Sequence, residues 1–140
     1  MGSDDPPIVF PPALAAPSGE WRVLYEHVDV RGEFYRLNNC VRFFREAVAA
    51  MQAGEPFGIT LRRQPWNWHD LFAIRVYGYW TERRIFRFRR QLHLGYLPRN
   101  LARGVARKVG CFTPLGARLV ALDDYEGTPD IVIDVLAKGR

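Results

Sequence analysis

The chain has few of the residues that staple or metallate small proteins. It has two cysteines, Cys40 and Cys111, far apart in sequence and outside any Cys-x-x-Cys pair. That rules out a disulfide framework or a cysteine zinc site and predicts free, buried thiols in a reducing compartment. The three histidines, His27, His69 and His93, have no metal-ligand spacing, so neither a metal nor another cofactor is expected. No run approaches the roughly 18 apolar residues of a membrane helix. The start of the chain has neither the basic segment nor the apolar run of a secretory signal. The expectation is a cytoplasmic protein, and a monomer. Gly-x-Ser-x-Gly, phosphate-loop and dinucleotide-binding patterns are also missing. His69 and Asp70 are adjacent, which does not set a base against an orienting carboxylate as a triad requires. An enzyme is not expected.

The chain does carry an uneven charge. Its 140 residues have a net charge of +5 and a sequence pI near 9.6. Residues 1–20 hold Asp4, Asp5 and Glu20 with no basic side chain, so the remainder has 20 basic and 12 acidic groups, a net of +8. A basic body suits a polyanionic partner, although it is also compatible with a merely soluble surface. The first 20 residues also hold five of the ten prolines. Proline lacks an N–H and fixes φ, so residues 1–20 are expected to be a flexible tail that cannot join a ladder as a unit, with Ile8, Val9 and Phe10 draped over the body.

Residues 21–140 read as a single domain. Strand-forming residues alternate loosely from Val23 to Tyr35. A helix is predicted over 40–53, with Asn38 or Asn39 as N-cap, Val41, Phe44, Val48 and Met51 on its apolar face, and Gly54 as left-handed C-cap. Residues 59–63 form another expected strand. The runs 73–80 and 85–94 read as a hairpin, with Ile74, Val76 and Trp80 on one face of its first strand and Arg75, Tyr77 and Tyr79 on the other. A second helix is expected over 99–109, capped by Gly110, and two strands over 117–122 and 131–136. The fold class implied is mainly β with two helices, a small antiparallel β-barrel.

Three segments have the chemistry to recognise a ligand. Residues 64–70 interleave turn residues with Trp66, Trp68 and His69, whose flat rings either pack inward or stack on bases, and Asn67 and Asp70 add hydrogen-bonding groups. In the run from Arg83 to Arg90, Phe86 and Phe88 share one strand face and Arg87 and Arg89 the other. Those arginines track phosphates or form a solvated surface over a phenylalanine core. Arg99, Arg103 and Arg107, four apart, form one helix edge, which is either a phosphate stripe or a solvated face. A fourth set, Asp123, Asp124, Glu126, Asp130 and Asp134, contains the Pro129-Asp130 pair of a metal-dependent nuclease motif. Lys138 lies four residues beyond Asp134, however, where that motif needs two.

The order of motifs resembles the HIRAN family. Gly32-Glu33-Phe34-Tyr35 is followed by Leu61-Arg62-Arg63-Gln64-Pro65, then Asn67-Trp68-His69-Asp70, Ala73-Ile74-Arg75-Val76 and Gly95-Tyr96-Leu97-Pro98-Arg99. The resemblance spans about residues 28–136. It implies an OB-like barrel with a pair of helices, as in domains fused to fork-remodelling helicases, which capture the free 3′ end of single-stranded DNA, and in short stand-alone bacterial proteins. It implies Tyr35 as the aromatic stacking on a terminal base, Asp70 as the acceptor of the terminal 3′-hydroxyl, Asn67 as a support for the nucleotide, and Arg99 as a phosphate ligand. His69 stands where the DNA-binding members carry tyrosine, and Trp68 where they carry proline. The expected function is therefore binding of single-stranded DNA or DNA 3′ ends in repair or replication, without catalysis and with a protein partner such as a helicase. The expected contacts are Tyr35, Trp66, Asn67, His69, Asp70, Arg87, Arg89 and Arg99. An adaptor that docks a protein on the tryptophan-rich loop is the alternative, and a metal-dependent nuclease a weaker one.

Overall fold

A computed structural model describes residues 6–11, 14, 16–30, 36–83, 86–125 and 128–139. The elements run β1 (Ile8–Val9), β2 (Trp21–Asp29), α1 (Leu37–Ala53), β3 (Phe57–Arg63), β4 (Ile74–Arg83), β5 (Arg87–Tyr96), α2 (Arg99–Lys108), β6 (Leu115–Tyr125) and β7 (Thr128–Lys138). The fold is mainly β with two helices, and every strand pairing is antiparallel. The strands divide into two sheets, β1-β6-β7-β2 and β3-β4-β5. The expected single closed barrel is not formed among the described residues. β3 lies against β6 without a ladder between them, so the two sheets enclose one core from different sides.

β7 lies between β6 and β2, and Ile133 to Ala137 is an unbroken buried run. Asp134 interrupts it chemically and is fully buried. One carboxylate oxygen accepts the His27 backbone N–H at 3.0 Å and the other meets the Arg118 guanidinium from β6. His27 sits at a register break of β2 with φ of 52°, an unfavourable left-handed conformation for a side chain with a Cβ, and the bond to Asp134 secures it. Lys138 instead sits over the Trp21 ring at 4.9 Å, so Asp134 and Lys138 do not form the pair the nuclease reading requires.

α1 packs on the inner face of β3-β4-β5. Its deepest residues are Cys40, Phe43, Ala47 and Ala50. The stripe expected from spacing is displaced: Phe44, Val48 and Met51 flank the core and Val41 is exposed. Gly78 is the reason Phe43 sits so deep, since a methyl there would stand 2.5 Å from its ring. Gly54 takes the expected left-handed C-cap, with φ of 69°. The N-terminus differs from expectation. Arg36 occupies the cap without a side-chain bond, and Asn39 reaches across to donate to the His93 carbonyl at 2.8 Å. α2 ends at Val109, which is extended and buried, so Gly110 is not a left-handed cap.

The proline-rich segment is attached in part. Ile8 and Val9 pair with Leu122 and Ala121 of β6, and Phe10 is buried with its ring 5.3 Å from that of Phe57. Pro6, Pro7 and Pro11 flank this short stretch, and the two residues free of proline supply the ladder bonds. Cys40 is buried as expected, but Cys111 is exposed. Among the described residues no helix is long and apolar enough to cross a membrane.

Candidate nucleic-acid interface

The β3–β4 connection is a braced loop. Gln64 N–H donates to the Ala73 carbonyl at 2.9 Å and closes its base. Three turns follow, with bonds from Asn67 to Gln64, Asp70 to Asn67 and Ala73 to Asp70. The Asn67 side-chain oxygen accepts the backbone N–H of His69 at 3.0 Å and of Asp70 at 3.3 Å, and an Asp70 carboxylate oxygen accepts from Phe72 N–H at 3.0 Å. Both residues thus act as turn formers whose side chains replace missing backbone partners. Beneath them Gln64 is buried, with the Tyr96 hydroxyl 3.0 Å away. Its amide oxygen is best satisfied when turned to Arg75 Nε at 2.8 Å.

This bracing pushes apolar side chains outward. Trp66 is 65% exposed and Trp68 95%, so the inward-packing alternative for these rings is overturned. Every inward position of the loop is already taken by its own polar frame and by Ala73. His69 is exposed as well. Leu71, Phe72 and Phe112 are also exposed, and with Pro65, Ala102 and Ala106 they line a groove of about 340 Å³ between the loop and α2. Arg63 ties down the far wall, donating to the carbonyls of Thr113 at 2.6 Å and Gly110 at 2.9 Å. Its partial burial lowers its pKa from the ordinary value, with the Cys111 thiol opposing.

Of the residues singled out from sequence, Trp66, Asn67, His69, Asp70 and Arg99 gather at this end. Arg99 Nε stands 3.8 Å from Asp70 Oδ2, and the Asp70 side chain keeps only 9% of its exposure. The carboxylate is therefore mostly covered and already partnered, while Arg99, at 54%, faces outward. Arg103 and Arg107 are exposed and form a solvated helix face. Tyr35 lies outside the described residues.

Arg87 and Arg89 are elsewhere. They sit at the far end of the β4–β5 hairpin, about 25 Å away at a strand rise of about 3.3 Å per residue. Arg87 bonds Glu55 at 3.0 Å, and the Arg89 guanidinium lies 3.8 Å from the Tyr79 ring centre. Phe86 and Phe88 are exposed too, which overturns the alternative of a phenylalanine core under the arginines. The hairpin runs past the end of the core, so both of its faces are wet there.

Between the two ends lies a surface not singled out from sequence: the outer face of β3-β4-β5. Arg75 donates to the hydroxyls of Tyr77 at 3.1 Å and Tyr96 at 3.3 Å, and these bonds raise its pKa above the ordinary value. His93 lies 5.3 Å from the Tyr77 ring and 5.1 Å from the Tyr96 ring. Burial lowers its pKa, the bond to the Gly95 carbonyl opposes this, and Arg36 and Arg75 lower it further. The alternation of Arg75, Tyr77 and Tyr79 was visible in the sequence, but the cross-strand partners that complete the surface were not.

Among the described residues no group of three or more His, Cys, Asp or Glu side chains is gathered as for a metal ion. No family model, no curated protein and no solved structure matches this chain.

Proposed function

We propose that this chain is a HIRAN-like, non-enzymatic module that binds single-stranded DNA, with free 3′ ends preferred, and serves repair or replication in the cytoplasm. The observation that carries the reading is the pair of exposed indoles, Trp66 and Trp68, on a loop whose own hydrogen bonds fix its shape. A fixed loop presents rings at little entropic cost, and each base stacked on such a ring is worth about 1–3 kcal/mol. Arg99 beside the loop and the +8 body supply attraction for phosphates. The OB-like barrel implied by the HIRAN resemblance belongs to the same proposal, with the two sheets as the halves of an open barrel. Its support is the order of motifs along the chain. Asp70 acts on a 3′-hydroxyl only if Arg99 swings away, which gives the two residues a joint role.

The test is fluorescence anisotropy with three labelled oligonucleotides: a single strand with a free 3′-hydroxyl, the same strand 3′-phosphorylated, and a blunt duplex. Preference for the free 3′-hydroxyl, reduced about tenfold by Trp68→Ala at every salt concentration, is the expected result. Equal weak binding to all three that vanishes with salt would leave only basic-surface attraction and end the proposal. One observation favours a second reading, a protein adaptor: the groove walled by Leu71, Phe72 and Phe112 is apolar enough to seat a partner's side chain. No binding to any oligonucleotide, with a co-purified protein lost in both Trp68→Ala and Phe112→Ala, would establish it.

A further inference from the structure

The loop and the Arg87–Arg89 hairpin, separate as sequence features, are joined by one continuous surface. On the outer face of β3-β4-β5 the cross-strand pairs place Arg62 beside Arg75 and Tyr96, then Tyr77 beside His93, then Tyr79 beside Gln91, then Arg89. No aspartate or glutamate occupies an outward position of these three strands: Glu82 of β4 alternates to the other face, where it stands 4.0 Å from Arg90, and Glu55 sits at the rim against Arg87. The inner face is covered by α1. The rings on the outer face are half-buried, with Arg62 over Tyr77 and Arg89 over Tyr79. Tyr79 leans over Gly58, where a methyl would stand 2.9 Å from its hydroxyl.

We propose that this outer face is a stacking track for single-stranded nucleic acid, with bases on Tyr77, His93 and Tyr79 and phosphates on Arg62 and Arg89. The inference rests on the nucleic-acid reading above and extends the interface from the tryptophan loop to the hairpin. Three arguments select this occupant. The first is charge: a face with arginines at both ends and no acid is complementary to a polyanion. The second is spacing. Tyr77 and Tyr79 are two residues apart on one strand, about 7 Å. Bases in a duplex strand repeat about every 3.4 Å and are enclosed by pairing, so only an unstacked single strand meets both rings. The third is that cations already sit on these rings: Arg62 Cζ is 5.1 Å from the Tyr77 centroid and Arg89 Cζ 3.8 Å from that of Tyr79. Each guanidinium either swings aside to a phosphate and frees its ring for a base, or stays and adds its own plane to the stack. The neutral His93 ring at neutral pH offers a face rather than a charge.

The track is tested by anisotropy with labelled 12-mers of oligothymidylate and oligouridylate, and a 12-bp duplex, on the full chain. The double variant Tyr77→Ala/Tyr79→Ala is expected to bind single strands at least about tenfold more weakly. Arg62→Gln/Arg89→Gln alters exposed side chains, leaves the core alone, and is expected to lower the salt slope by roughly two charges. If both double variants bind as wild type does while Trp68→Ala weakens binding, the track is wrong and the loop reading survives. If the wild-type chain binds neither 12-mer, both fail. Circular dichroism identifies a misfolded tyrosine variant, in which case the arginine variant decides alone. DNA and RNA arms of equal strength mean a track blind to the sugar, and preference for one names its ligand. Duplex binding equal to single-strand binding overturns the stacking.

Discussion

Asp134 ties together the β2-β7-β6 sheet by bonding a residue on each neighbouring strand. It is fully buried, and its carboxylate is satisfied by Arg118 and by the His27 amide. Removing a partner from such a carboxylate strands a charge away from water, so Arg118→Ala is expected to cost about 3–5 kcal/mol in urea unfolding. A loss under about 1 kcal/mol would mean water reaches Asp134. His93 makes the opposite kind of contribution. Its folded pKa lies below the ordinary 6.5, chiefly through burial. As pH falls through that value the unfolded chain takes up the proton more readily than the folded one, so stability drops on acidification. Wild type is expected to lose more melting temperature than His93→Gln between about pH 7.5 and about pH 5.5. Equal losses would show that His93 stays solvated.

Element placement depends on a few close approaches. α1 reaches the sheet because Gly78 has no side chain and Phe43 fills the space. Gly78→Ala is expected to cost about 1–3 kcal/mol by forcing that ring outward, measured as a shift of the urea midpoint without a change in slope. α1 was readable from its 3.6-residue period and its Gly54 cap, yet the buried stripe was misassigned. The small residues Ala47 and Ala50 carry little hydrophobic signal, and they lie innermost because the sheet comes close. The same limit applies to the tryptophan loop. Its turn residues were evident, but whether the indoles pointed in or out depended on Asn67, Asp70 and Gln64 filling the interior with hydrogen bonds.

At the scale of the molecule, a body of net charge +8 presents three exposed regions: an aromatic loop, a tyrosine-lined sheet face and a hairpin that extends beyond the core. The N-terminal segment completes the opposite sheet. β1 pairs with the outer edge of β6, where unpaired backbone groups would otherwise invite another strand. Phe10 anchors it in the core, and Phe10→Ala is expected to cost about 3 kcal/mol in thermal or urea unfolding. A neutral result would mean that the segment adds little to the body.

Alternation and helical period, read from the sequence alone, determined the kinds of element and the division of β4 into two faces. Each is a local property, set by which neighbours in the chain share a face. Tertiary structure decided the rest: the division into two sheets, the outward turn of Trp66 and Trp68, the removal of Asp134 from Lys138, and the joining of Arg62, Tyr77, His93 and Arg89 on one surface. These depend on register between strands distant in sequence and on which polar groups reach the interior first, and neither is encoded in the spacing of residues along one segment.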